Sequence, residues 1–101
     1  MKVYIVSRHP GTIEYLKRFY PDAEVINHLK SPDDIPSGSL VIGNLPLTVV
    51  ARLKERGVRY VQVNLEVPPE LRGKELDVNE LEKYVKLVEI KELKIEEFKP
   101  G

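Results

Sequence analysis

The sequence predicts an α/β domain, a small, mostly parallel Rossmann-like sheet flanked by helices. Three observations carry that expectation. Apolar stretches of strand length, Val3 to Val6 and Leu40 to Gly43, are each followed by apolar residues at helical spacing. Alternating strands and helices favour parallel pairing, because parallel neighbours need a long crossover. Leu40-Val41-Ile42-Gly43 is apolar on both faces, as a strand inside a parallel sheet should be.

Taken in order, residues 2–6 form the first strand. Ile13, Leu16, Phe19 and Tyr20 then mark one face of a helix over residues 12–20, which Pro21 ends for want of an N–H. Residues 24–28 read as a short second strand. Residues 30–39 hold two prolines, three serines, a glycine and two aspartates, a loop composition, so no helix is expected between the second and third strands. Asn44-Leu45-Pro46 turns into a second helix, with proline suited to its first turn and Gly57 to its left-handed stop.

Residues 60–65 alternate as a fourth strand, broken by Pro68-Pro69. A charged turn follows, centred on Arg72-Gly73-Lys74. Asp77 and Glu80 have the spacing of a capping box, which opens a short helix to Tyr84. Beyond it, Leu81, Tyr84 or Val85, and Val88 fit a continuing helix, whereas Val88 with Ile90 and Leu93 with Ile95 fit a strand slipped by a bulge. Strand is preferred, since Val and Ile dominate there. No repeat or long linker divides the chain, so residues 1–101 are read as one domain.

Composition narrows the function classes. Sixteen basic residues balance sixteen acidic ones, so no global field draws in DNA, and any polyanion site must be local. The absence of cysteine removes disulfides and thiol chemistry. No apolar run approaches the ~20 residues of a membrane span, and strand-like sequence starts at once; the expectation is a cytoplasmic protein without a membrane partner. Abundant Lys and Glu, no Trp and a single Gln, Gln62, point to a thermophilic source.

The candidate site is the first strand-to-helix turn, Ser7-Arg8-His9-Pro10-Gly11-Thr12. In parallel sheets ligands bind outside the carboxyl ends of the strands, and a helix start there offers N–H groups to an anion. Arg8 can grip a phosphate with a two-pronged contact. His9 can transfer a proton as acid or base. Ser7 and Thr12 read as turn or cap hydroxyls beside that chemistry, and Gly11 permits close backbone approach. Two more loops should share the rim, bringing Gly43, Asn44 and Leu45 from one and Asn64 from the other. Arg72 and Lys74 form a second compact cationic pair able to fold over phosphates. His28 ends the second strand and reads as structural or exposed. No His, Asp or Glu cluster has metal-ligand spacing, so metal-independent chemistry without a cofactor is expected.

Strand-Arg-His-Gly-Thr also opens the histidine phosphatases, but Pro10 interrupts that order and the chain is much shorter than that fold. A closer resemblance is to the small stand-alone CRISPR-associated proteins of type III systems, of the Csx type. It rests on Val6-Ser7-Arg8-His9-Pro10-Gly11-Thr12-Ile13-Glu14-Tyr15, on Val41-Ile42-Gly43-Asn44-Leu45-Pro46 and on Arg72-Gly73-Lys74-Glu75-Leu76, in that order over about residues 1–80. The resemblance implies a ring nuclease, with a fold related to the Rossmann-like, CARF-like sensor domains. Such proteins bind cyclic oligoadenylate, commonly the four-membered ring, as a homodimer and cut it to linear products. Some relatives sequester the ring without cutting it. That alternative and a small Arg-His phosphatase remain the rivals at the level of sequence.

Overall fold

The structure, a computed structural model, describes residues 1–101. Five strands form one sheet in the order β2-β1-β3-β4-β5: β1 (Val3–Val6), β2 (Glu24–Ile26), β3 (Leu40–Gly43), β4 (Arg59–Leu65) and β5 (Val85–Ile90). The first four are parallel and β5 runs antiparallel to β4. Helices α1 (Pro10–Lys17), α2 (Leu47–Glu55) and the short α3 (Val78–Leu81) flank the sheet. This is the mostly parallel, Rossmann-like α/β arrangement the sequence predicts.

Strand alternation sorts the core into two faces. Tyr4, Val6, Val41 and Tyr60 pack with Val50 and Leu53 of α2. Ile5, Leu40, Ile42 and Val63 pack with Leu16 of α1. The β2-to-β3 crossover has no α-helix, as expected. A single 3₁₀ turn, Pro32–Asp34, and the buried Ile35 cover the sheet in its place. Arg56 secures that turn by donating to the carbonyls of Asp33 (3.3 Å) and Ile35 (2.8 Å).

Several boundaries differ from the expectation. Helix α1 starts at Pro10, two residues early, because proline at the first helical position is pre-shaped for it and His9 caps it. It stops at Lys17, ahead of Pro21. Pro46 is the N-cap of α2 rather than part of its first turn. The tail is strand, but the ladder from Leu65–Val85 to Tyr60–Ile90 is unbroken, with no bulge. It ends at the Tyr60–Ile90 pair, one residue short of the start of β4 at Arg59, and Leu93 folds against the α2-side core.

One ion pair on that ladder sets an acid-stability expectation. Arg59 holds Glu89 by two N–H bonds of 2.9 and 2.8 Å. Its guanidinium, helped by Lys91, lowers the Glu89 carboxyl from its ordinary 4.5 to about 2. A carboxyl depressed on folding stabilises the fold above its unfolded pKa, and that contribution is lost as pH falls towards the folded value. Thermal melting of Glu89→Gln against wild type should therefore show a deficit at neutral pH. The deficit should shrink between about pH 4.5 and 2; a deficit constant across that window would mean the pair carries no linkage.

Candidate functional site

Parallel strands bring the loops after β1, β2 and β3 and the end of β4 to one rim of the sheet, where they enclose a cleft of about 760 Å³. Its floor is the apolar ends of the strands, including Val6, Ile42 and Val63. Its polar side chains are those of Ser7, Arg8, His9, Thr12, Asn27, His28 and Asn44. The ionisable side chains among its walls are Arg8, His9 and His28, and no carboxylate lines it. An anion therefore meets positive charge and hydrogen-bond donors there without an acidic competitor.

The local geometry of residues 7–12 follows from ordinary turn and cap chemistry. The His9 N–H donates to Ser7 Oγ (3.1 Å), so Ser7 shapes the turn. His9 has extended backbone and is the N-cap of α1; its Nδ1 accepts the Thr12 N–H at 3.1 Å. Thr12 Oγ1 lies 2.9 Å from the same nitrogen. Thr12 thus offers Nδ1 both a donor and an acceptor, and the ring has a partner whether or not that nitrogen carries a proton. Either way Nδ1 is committed to the helix, and Nε2 is the nitrogen left for a ligand.

Arg8 is exposed, and its only hydrogen bond runs from Nε to the Asn27 carbonyl at 3.3 Å. That single anchor leaves the two terminal guanidinium nitrogens unused, and no carboxylate pairs with Arg8. The N–H count at the start of α1 is smaller than the sequence suggested. Pro10 has none and Thr12 gives its own to His9, leaving Gly11 with the free N–H. Thr12 is largely buried at the edge of the cleft, where both its N–H and its hydroxyl meet His9, the cap role its residue type suggested.

The loop after β3 is fixed from beneath. The buried Tyr60 hydroxyl accepts the Leu45 N–H (2.9 Å) and has the Gly43 carbonyl (3.1 Å) and Gln62 Oε1 as acceptors for its own proton. Burial pushes the phenol above its ordinary 10, which keeps it a donor. Gly43 serves the sheet: a Cβ there would stand 2.7 Å from the Val6 carbonyl oxygen. Asn44 donates from Nδ2 to the Val63 carbonyl (3.3 Å), leaving its Oδ1 for the cleft.

Arg72 and Lys74 do not enter this cleft. They line a neighbouring one of about 530 Å³ with Gly11 and Glu75, and neither is ion-paired. His9 and Leu65 line both clefts and form the shared wall. Asn64 lines neither. Val63 and Leu65 face the cleft, so alternation along β4 sends Asn64 to the opposite face of the strand. Conversely, Asn27, His28 and Tyr60 belong to the site although the residues gave them no such role. Parallel pairing of β2 with β1 would have pointed to the first two, because it sends both following loops to one rim. Nowhere do three His, Asp or Glu side chains converge as a metal site, and no helix is long and apolar enough to cross a membrane.

Comparison with known proteins adds the family. Residues 4–96 match the family model described as "Putative CRISPR-associated protein (Cas_VVA1548)". Searches of curated proteins and of solved structures give no match. Because the matched segment takes in β1 through β5 and the whole rim of the cleft, the chain belongs to this CRISPR-associated family.

Proposed function

We propose that the protein is a metal-independent ring nuclease that binds a cyclic oligoadenylate, the four-membered ring by family resemblance, and cuts it to linear products. The observation that carries this reading is the cleft wall: one arginine without a carboxylate partner, two imidazoles and no acid. An internucleotide phosphate fits such a wall, and RNA brings its own nucleophile, the 2′-hydroxyl. The protein need only align that hydroxyl with phosphorus, stabilise the developing charge and move two protons. Arg8 binds the phosphate oxygens, and His9, whose ring stands between the two clefts, transfers a proton through Nε2. Arg72 and Lys74, across the shared His9 wall, take a neighbouring phosphate of the same ring. A twofold homodimer would place two such sites around one ring.

Labelled cyclic tetra-adenylate incubated with the protein in EDTA should yield linear adenylates ending in a 2′,3′-cyclic phosphate. Arg8→Ala should weaken ring binding by roughly ten- to a hundred-fold, as loss of charge-assisted hydrogen bonds worth about 1.5–3 kcal/mol implies. An intact ring after prolonged incubation rejects the nuclease. If the same protein shifts the ring on a gel, the activity is sequestration. That second reading has its own support, since the His9 imidazole already has a structural task as a helix cap.

A further inference from the structure

We infer that His28 is the second proton-transfer residue of this site, acting as the base that takes the 2′-hydroxyl proton while His9 supplies the acid. The inference rests on the ring-nuclease reading and adds a residue that neither the sequence motifs nor the family match assigns. These are the chain's only two histidines. They lie 19 positions apart, in unrelated sequence contexts, and both line the one cleft. What joins them is topology. β1 and β2 are parallel neighbours, so the turn after Val6 and the loop after Ile26 emerge side by side, and Arg8 bonds across them to the Asn27 carbonyl.

Cleavage by a 2′-hydroxyl needs a proton acceptor on one side of phosphorus and a donor on the other. The cleft offers few candidates. The loop after β1 contributes Arg8 and His9, the loop after β2 contributes His28, and the loop after β3 and the end of β4 contribute no titratable side chain. Arginine keeps its proton throughout. That leaves two imidazoles for two proton transfers.

Hydrogen bonding divides the roles. His9 keeps Nδ1 against Thr12, so Nε2 carries the proton when Nδ1 accepts the Thr12 N–H. When the ring is an imidazolium, Nδ1 gives up the Thr12 N–H and donates instead to Thr12 Oγ1, 2.9 Å away, and the Nε2 proton is the one available to a leaving oxygen. His9 is thereby arranged as a donor. His28 is exposed and neither of its nitrogens is held by another group of the chain, so a lone pair is free to accept.

The step balances without a further reactant. The 2′-oxygen forms a bond to phosphorus and passes its proton to His28. The phosphorus–5′-oxygen bond breaks, and that oxygen receives a proton from the His9 imidazolium. A 2′,3′-cyclic phosphate and a 5′-hydroxyl result. The imidazoles end with protonation states exchanged and reset through solvent.

The test is single-turnover cleavage of labelled cyclic tetra-adenylate in EDTA, with rate measured against pH and ring binding measured separately. Wild type should give a bell-shaped profile. His28→Ala should cut about 10²–10⁴-fold more slowly, bind the ring as wild type does, and lose the limb on which rate rises with pH. His9→Ala should lose the opposite limb. His28→Gln should show the same loss, and added imidazole should restore part of the His28→Ala rate. Far-UV circular dichroism of these exposed-site variants should match wild type. If wild type cuts while His28→Ala cuts equally fast with the bell intact, the inference falls and the nuclease reading stands. It falls equally if His28→Ala only weakens binding and cuts bound ring at the wild-type rate. An uncut ring with wild type overturns both.

Discussion

His9→Asn is expected to leave the fold as stable as wild type and to slow ring cleavage by about 10²–10⁴-fold, the usual worth of a positioned proton-transfer group. The choice of asparagine separates the two tasks that His9 carries. Its extended backbone (φ −90°, ψ 109°) and its Nδ1 contact with the Thr12 N–H make it the cap of α1. Asparagine is among the best N-caps, so the Thr12 N–H keeps a partner, but an amide does not exchange protons near neutral pH. His9→Ala removes both cap and acid, and should add a stability loss of about 1 kcal/mol to the same kinetic defect. Thermal melts and single-turnover rates on the two variants resolve the contributions. Cleavage by His9→Asn at the wild-type rate would reduce the imidazole to a cap and remove it from the chemistry.

Gly43→Ala should be the most damaging small substitution in the sheet. β1 and β3 are adjacent parallel strands with Val6 opposite Gly43, and the added methyl would stand 2.7 Å from the Val6 carbonyl oxygen and 3.3 Å from its Cβ. The nearest of these atoms is backbone in a buried strand, so no side chain can swing aside. Overpacking of this kind costs about 1–3 kcal/mol, and each kcal/mol lowers the Tm of a chain this size by about 4–8 °C. Ring binding should weaken as well, because separating β1 from β3 shifts residues 7–9 against residues 44–46 along the cleft. A Tm unchanged by Gly43→Ala would show that the strands part freely, and would return Gly43 to a direct ligand role.

Most of the elements were legible in the sequence because they depend on local rules. The apolar runs of β1 and β3, the Asp77 cap accepting the Glu80 N–H at 2.8 Å, and the left-handed Gly57 at φ 77° are each set within a few residues. So was the Arg8-His9 corner, since a turn between a buried strand and a helix has to lie at the end of the sheet. The weaker expectations were those on chain that two signals contest. The tail carries both helical and strand spacing, and pairing with β4 decided it. Residues 30–39 look like plain loop, yet Ile35 is core, because a crossover without a helix must still bury something over the sheet.

By itself, then, the sequence determined an α/β chain with a cationic, imidazole-bearing turn after its first strand, together with residues that fit a CRISPR-associated family. Tertiary structure alone decided who shares that corner. It admitted His28 and Asn27, set Asn64 on the other face of β4, moved Arg72 and Lys74 to the next cleft and assigned the Thr12 N–H to His9. The reason is that strand order arises from pairings between residues far apart in the chain, here β2 beside β1. Local spacing fixes which way a side chain points along its own strand, but only the neighbouring strand determines what it meets.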